Sequence, residues 1–123
     1  SLVREQLADG GFGLELSAVM NPFTTALALE SFIHLSYLGQ QMERTLCGNA
    51  LLYAQQENGS WTGDYILRIP APYVTDPNEV ASWNNADGGG NSLIEDKDGL
   101  FATAMSCYAL NCWRNAETKN NSV

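Results

Sequence analysis

The sequence predicts an all-α fold built from repeated helix-turn-helix units, with one long irregular insertion. Three observations support this prediction. A short turn motif occurs twice, at residues 6–12 and 55–61, and an apolar helix follows each copy. Helices with an almost wholly apolar circumference alternate with one that has a single apolar stripe. Finally, the segment 62–98 shows no helical period. Because self-similarity at a fixed offset is typical of repeat proteins, we predict a helical-repeat architecture.

The duplicated turn contains a glutamine, a short polar run, a glycine and an aromatic ring. The two copies lie 49 residues apart, from Gln6 to Gln55. The Thr-Ala pairs near the start of the following helices lie 78 apart, from Thr25 to Thr103, so the second unit contains 29 more residues. Glycine permits a tight reversal, glutamine can satisfy polar groups at a helix end, and the indole packs across the junction. We therefore predict a structural role, not a catalytic one, for Gln6, Gly10, Phe12, Gln55, Gly59 and Trp61.

The first predicted helix begins at Asn21-Pro22, an N-cap followed by a residue suited to the first helical position. It runs to about Leu38, ends at Gly39 and is apolar almost all round. The second, at residues 41–56, has one apolar stripe formed by Met42, Leu46, Ala50, Tyr53 and Ala54, and it is predicted to face solvent on the other side. The alternation is typical of concentric inner and outer rings of helices.

The third predicted helix covers residues 99–113, with Asp98 as its N-cap, and is again apolar almost all round. Before it lies the irregular excursion 62–98, in which Tyr65–Ile69 is predicted to be a short extended piece. Long irregular segments in compact domains are usually functional or disordered, and apolar anchors favour an ordered excursion here. We assign residues 1–116 to the helical repeats and 117–123 to a polar tail.

Composition restricts the classes of partner. The 123-residue chain has a net charge of −8, which argues against nucleic acid and gives no support for electrostatic attachment to a membrane surface. Cys47, Cys107 and Cys112 are odd in number and form no C-x-x-C pair, so buried reduced thiols are predicted. This favours a cytoplasmic location, with peripheral membrane association left open. The first residues resemble the last turn of a helix, so the chain is expected to be a fragment.

The motif Gln-x-x-x-Gly-x-Trp at Gln55, Gly59 and Trp61, together with the helices around it, resembles the QW repeat of squalene-hopene cyclases and related class II terpene cyclases. The first copy departs from that motif, since Phe12 replaces the tryptophan. The resemblance covers most of the chain outside residues 62–98. It implies a partial (α/α) toroid formed by the C-terminal repeats of such an enzyme. The remainder of the toroid, or a second chain, is then the expected partner.

The resemblance also implies an activity, the proton-initiated cyclisation of a polyprenyl substrate. In that family an Asp-x-Asp-Asp motif supplies the acid, and its middle Asp must be kept protonated. Asp96 and Asp98 would align with its first two carboxylates, but Gly99 replaces the last one. A structural cap is the stronger interpretation of Asp98, and the complete motif is expected upstream of Ser1. This chain would supply cavity wall and lid, and would be inactive alone.

Several other residues are candidates for substrate binding. Arg68 could bind a diphosphate or could pair with Asp64 or Asp76. Trp83, Phe101 and Tyr108, with Tyr73 and Trp113, could line an apolar cavity or belong to the core. No cofactor is expected, and Mg²⁺ is compatible only with a diphosphate substrate.

The histidine of the chain suggests no metal site. His34 lies one turn after Glu30, which suggests a satisfied polar pair on a mostly buried helix. Protein prenyltransferases, which share the toroid, bind zinc through Asp, Cys and His, but no cysteine lies two residues after Asp98 and His34 is far away in sequence, so no metal site is predicted.

Two alternative functions remain open at this stage. The first is a non-catalytic helical-repeat module that binds protein or glycan on its concave side. The second is a carbohydrate-active toroid, for which paired carboxylates along a groove would be needed and Asp96 with Asp98 is only a faint version.

Overall fold

The computed structural model describes residues 5–13, 19–35, 41–83 and 91–121, with side chains described to residue 119. These ranges are mostly helical. They contain the helices α1 (Pro22–Leu35), α2 (Gln41–Tyr53) and α3 (Leu100–Asn121), and the strands β1 (Tyr65–Ile69) and β2 (Ser92–Glu95). A short 3₁₀ turn at Pro77–Glu79 lies between the strands. The predicted end of the first helix at Leu38 and Gly39, and the start of the chain at residues 1–4, lie outside the described residues.

The core forms where the two apolar helices meet. α1 begins as predicted: the side chain of Asn21 accepts a hydrogen bond of 3.0 Å from the backbone N–H of Thr24. α1 packs most extensively against α3. The small residues Ala102, Ser106 and Ala109 form the buried stripe of α3, which allows the two helices to approach closely. The core consists of Phe12, Ala26, Ala28, Leu29, Phe32, Cys47, Leu51, Trp61, Ala102 and Ala109.

The buried face of α2 differs from the predicted one. Met42, Leu46 and Tyr53 are exposed, and the buried residues are instead Arg44, Cys47, Gly48 and Leu51. Two tertiary contacts explain this rotation. A Cβ atom at Gly48 would lie 2.4 Å from the Trp113 ring, so glycine lets that ring lie against the helix backbone. The buried Arg44 guanidinium pairs with Glu117 of α3 at 3.1 Å.

α3 is longer than predicted and is buried on fewer sides. It continues past Trp113 to Asn121, so most of the segment predicted as a polar tail is helical. Glu117 explains the extension, because it accepts hydrogen bonds from Gln41 at 3.2 Å and from the Trp113 indole at 3.1 Å. Leu100, Phe101 and Tyr108 are exposed, as is Leu27 of α1. The helices that are apolar all round therefore each keep one face outside the core.

A small antiparallel sheet adds to the helices that the sequence predicts. β1 coincides with the predicted extended piece, and it pairs with β2, which the sequence analysis missed. The base of this hairpin is tight: Asp96 N–H donates to Asp64 O at 2.8 Å, and a Cβ atom at Gly63 would lie 1.8 Å from Asp96 O. The Asn21 side chain donates to Tyr65 O at 2.9 Å, which joins the hairpin to the start of α1. The excursion 62–98 therefore contains ordered pairing.

The prediction that the cysteines are buried holds for Cys47 alone; Cys107 is exposed and Cys112 is half-buried. Burial raises the pKa of the Cys47 thiol from 9.0 to about 12, because the thiolate would be desolvated. Its Sγ donates a weak hydrogen bond of 3.5 Å to Thr25 O.

We expect this difference to appear in thiol reactivity. At pH 8 a disulfide reagent should modify Cys107 in the folded chain, and Cys47 should react only after denaturant is added, because the thiolate is the reacting form. Mass spectrometry of the modified peptides would identify the thiols. Cys47→Ala is the control, since it should leave the rapid phase unchanged. Modification of Cys47 in the folded protein would contradict the assignment.

Candidate functional site

The duplicated turn is the same structure twice. Gln6 Nε2 donates to Gly10 O and Gln55 Nε2 donates to Gly59 O, each at 2.9 Å. The two glycines have nearly equal positive φ angles, 92° and 89°. The backbone bonds Leu7 N–Gly11 O and Gln56 N–Ser60 O, both of 2.8 Å, also correspond. The offset of 49 residues therefore joins residues with the same contacts.

A threonine attaches each turn to the helix that follows it. Thr25 Oγ1 accepts from the N–H of Phe12 at 3.0 Å and donates to its carbonyl at 3.1 Å. Thr103 Oγ1 makes the same pair of bonds with Trp61, at 3.0 and 3.4 Å. Thr25 and Thr103 are thus equivalent positions, and the offset of 78 residues relates α1 to α3.

That register identifies two equivalent stripes, one on each helix, that lie at the edge of the core. One residue per turn of α1 corresponds to one of α3, and the side chains are half-buried or exposed. We call these eight residues the paired stripe: Phe23, Leu27, Glu30 and His34 on α1, and Phe101, Met105, Tyr108 and Cys112 on α3. Its first half is apolar and its second half is polar. It forms the candidate site because it is an apolar surface with a few convergent polar groups.

The polar half of the stripe contains interacting groups from both helices. His34 Nε2 lies 3.6 Å from Glu30 Oε1. The pKa of the Tyr108 phenol is raised, first by a hydrogen bond with Cys112 and by that group's charge, and then by the nearby Glu30 carboxylate. The Glu30 carboxylate of α1 therefore acts electrostatically on the Tyr108 phenol of α3. The pair Glu30–His34 was predicted on a mostly buried face, but His34 is exposed.

Asp96 and Asp98 occupy different environments. Asp96 is buried, and its two carboxylate oxygens accept from the N–H groups of Phe101 at 3.2 Å and Ala102 at 2.8 Å. Asp98 is exposed. The side chain that caps α3 is therefore Asp96, not Asp98 as the sequence analysis expected. Both oxygens of the Asp96 carboxylate are therefore engaged by the backbone of α3.

A matched pair of variants tests this assignment. Asp96→Ala should lower the free energy of unfolding by about 1–2 kcal/mol, because it leaves N–H groups of α3 without an acceptor. Asp98→Ala should change it by less than about 0.5 kcal/mol. Urea denaturation followed by circular dichroism would measure both. Equal effects would show that Asp96 does not cap the helix.

The predicted substrate-binding residues fall into two groups. Phe101 and Tyr108 lie on the paired stripe. Arg68 and Trp83 lie together at the hairpin, with the guanidinium carbon 5.2 Å from the indole ring centroid. Arg68 also donates to Asn78 at 3.4 Å. Leu27, Met105 and Cys112 were not predicted as site residues, although the offset of 78 residues could have identified them.

A groove of about 540 Å³ lies beside the second copy of the turn. It is mainly apolar, and Trp61, Leu110 and Trp113 contribute to its walls. At the first copy, α2 lies over the corresponding glutamine: Gln6 Nε2 donates to Glu43 O at 2.9 Å. The groove thus lies where, by the repeat, another helix would follow.

Among the described residues, no three His, Cys, Asp or Glu side chains are grouped as a metal site requires. Within the same residues, none of the helices has the length and hydropathy needed to cross a bilayer.

Comparison with known proteins gives matches at the level of structure. No known protein family and no curated protein matches the chain. A variant of the type II terpene cyclase MstE from Scytonema, solved in complex with its substrate geranylgeranyl dihydroxybenzoate, is similar at a TM-score of 0.75 and 23% identity, over 94% of this chain and 35% of that one. The apo form of MstE is similar at a TM-score of 0.69 and 24% identity, over 94% of this chain and 36% of that one. A protein from Actinoplanes is similar at a TM-score of 0.67 and 28% identity, over 90% of this chain and 34% of that one. The chain therefore has a terpene cyclase-like fold and spans about a third of these structures.

Proposed function

We propose that this chain forms the closing C-terminal repeats of an (α/α) toroid in a class II terpene cyclase-like enzyme. The enzyme would catalyse proton-initiated cyclisation of a polyprenyl substrate, and the chain would supply cavity wall and lid. The observation that supports this most is the paired stripe. It presents the exposed side chains of Leu27 on α1 and Phe101 on α3, with the half-buried Met105 between this surface and the core. A polyprenyl chain needs such an apolar wall, since burial of its methylene groups drives binding.

The duplicated turn supports the same proposal. We infer that it is a QW-type turn, in which the glutamine closes the loop and the indole joins one helix to the next. Trp61 Nε1 donates to Leu51 O at 2.8 Å, in the last turn of α2, where backbone carbonyls lack helical partners. The Phe12 ring instead packs against Phe32, with centroids 6.1 Å apart. Both copies therefore act as joints between helices.

The hairpin supports the proposed lid. The hairpin contacts the starts of both helices. Asn21 at the start of α1 donates a hydrogen bond to Tyr65 O, and Asp96 accepts one from the first turn of α3. Leu67 pairs with Ile94 in the strand register, and both side chains are exposed. An apolar hairpin face beside one end of the paired stripe is suited to cover a bound isoprenoid chain.

The groove beside the second turn supports the proposed partner. In the first copy Gln6 reaches the backbone of α2, whereas Gln55 is exposed and borders the groove. A helix equivalent to α2, from the remainder of the toroid, would fill this groove. The initiating acid would also come from that remainder, since Asp96 caps α3 and Asp98 is exposed.

The test uses the full-length parent protein. We would incubate it with geranylgeranyl diphosphate, geranylgeranyl dihydroxybenzoate and squalene in parallel, with and without Mg²⁺, and analyse the products by mass spectrometry. We expect a cyclised product from at least one substrate, and Leu27→Asp should abolish it by placing a charge on the apolar wall. Asp98→Asn should leave the rate unchanged. Absence of cyclisation with every substrate would overturn the proposal.

A non-catalytic helical-repeat module is the second candidate. Among the described residues, the carboxylate of the paired stripe is Glu30, and it contacts His34. Such a module would bind protein or glycan on the exposed stripe. Saturable binding of a polyprenyl substrate without turnover in the full-length parent would favour a binding module over an enzyme.

A further inference from the structure

The polar half of the paired stripe is not explained by an apolar cavity wall. We propose that His34, oriented by Glu30, is the general base that removes the proton at the end of the reaction on this surface. This rests on the proposed cyclase function. It adds a specific chemical role, since the wall alone binds the substrate but does not terminate the cation.

The repeat places the required groups at one level. By the register fixed at Thr25 and Thr103, Glu30 corresponds to Tyr108, and His34 corresponds to Cys112. All four lie on the same side of α1 and α3, two to three turns after the apolar half of the stripe begins. A chain lying along the apolar half would therefore extend toward the polar half.

The Glu30–His34 pair has the geometry of an oriented base. Nε2 lies 3.6 Å from the carboxylate, so Nδ1 is the ring nitrogen that we assign as the proton acceptor. The carboxylate then balances the imidazolium that forms when Nδ1 takes a proton. Glu30 acts through His34 and is a positioning residue. Its side chain is 22% exposed and that of His34 is 63% exposed, so the imidazole is the group accessible to substrate.

The neighbouring phenol complements this base. Its raised pKa, caused first by Cys112 and then by Glu30, favours the neutral Tyr108 hydroxyl, so it does not compete for the proton. Its ring lies on the same stripe and offers a π face, which stabilises a cation before deprotonation.

The step balances without another reactant. The final carbocation has a C–H bond on the carbon next to the cationic centre. His34 Nδ1 takes that hydrogen as a proton, and the electron pair of the C–H bond becomes the π bond of an alkene. The imidazolium later loses the proton to water. Without the base, water can add to the cation instead and give an alcohol.

The experiment compares products of the full-length parent acting on a substrate that the wild type cyclises. In His34→Gln, substrate should still be consumed, because initiation uses another acid. The rate of alkene formation should fall by about 10²–10⁴-fold, the range for loss of a general base, and alcohols should replace the alkene. Glu30→Gln should shift products in the same direction, and Glu30→Asp should restore part of the alkene. Ser31→Ala, on the neighbouring face of α1, is the matched control and should keep the wild-type products.

Chemical rescue separates a base from a structural role. His34→Gly removes the ring, and added imidazole should increase alkene formation in that variant but not in the wild type. Unchanged products in both His34→Gln and Glu30→Gln would overturn the base while leaving the cyclase proposal intact. If the wild type cyclises nothing, the proposed function fails and the base fails with it. If His34→Gln does not fold, the Glu30→Gln and Glu30→Asp pair still decides the proposal.

Discussion

Replacing Trp61 by alanine should lower the free energy of unfolding of this chain by about 3–5 kcal/mol, the range for deleting a buried aromatic side chain. Only 2% of Trp61 is exposed, and it packs in the core between the two halves of the chain. Its indole N–H donates to Leu51 O at 2.8 Å, and its backbone bonds to Thr103. Because one residue contacts both the end of α2 and the start of α3, its loss should loosen both helices. Urea denaturation followed by far-UV circular dichroism would measure the change.

Two further variants separate the contributions of ring and hydrogen bond. Trp61→Phe keeps most of the packing, as Phe12 does in the first copy of the turn, but it leaves Leu51 O without its donor, so we expect a loss of about 1–3 kcal/mol. Tyr53→Ala is the exposed aromatic control, with 94% of the residue accessible, and should cost less than about 0.5 kcal/mol. A loss in Trp61→Ala as small as in Tyr53→Ala would show that the turn is not a joint.

The features that the sequence predicted correctly depend on local signals. The turn is set by a glycine that adopts positive φ and by a glutamine whose side chain reaches a carbonyl four residues away, as Gln55 and Gly59 show. The start of α1 depends on Asn21 and Pro22, which act within one helical turn. The strand β1 contains one aromatic and two β-branched residues among its five and is followed by a proline. Such signals are contained in neighbouring residues.

The features that the sequence missed depend on partners distant in the chain. The stripe of larger apolar residues on α2 suggested the wrong face, because the actual face is set by Gly48 under the Trp113 ring and by Arg44 paired with Glu117. An arginine is usually exposed, so the burial of Arg44 could not be predicted without knowing its carboxylate partner. The cap of α3 was predicted to be Asp98 because that residue is nearer to the helix in sequence. Asp96 reaches the helix only because Gly63 and Gly99 let the hairpin ends approach closely.

The candidate site was partly predictable. Phe101 and Tyr108 were identified as potential cavity residues, and Glu30 with His34 as a polar pair, but nothing in the composition joined them. Their common surface follows from the equivalence of Thr25 and Thr103, which the hydrogen bonds establish. That offset was visible in the sequence. The sequence did not show which side of each helix would remain outside the core.

A second large effect should distinguish the two equivalent glycines of the turn. Gly10→Ala and Gly59→Ala both force a side chain into positive φ, at 92° and 89°, which costs about 1–2 kcal/mol. At Gly10 the new Cβ would also lie 2.3 Å from Leu46 O of α2, a backbone atom that cannot move aside, which adds about 1–3 kcal/mol. At Gly59 the nearest atom is Gln55 Nε2 at 3.8 Å, so only the φ term applies. Denaturation of the two variants side by side would measure the difference.

The difference between Gly10 and Gly59 also tests the proposed toroid. The first copy of the turn is crowded because α2 lies across it, and the second borders the groove beside Trp61. If a helix from the remainder of the toroid fills that groove, Gly59→Ala should cost about as much as Gly10→Ala in the full-length parent, while remaining the milder change in this chain alone. Equal costs in this chain would contradict the crowding by α2. A mild Gly59→Ala in both settings would indicate that no equivalent helix covers the second turn, and the closed toroid would then have to be abandoned.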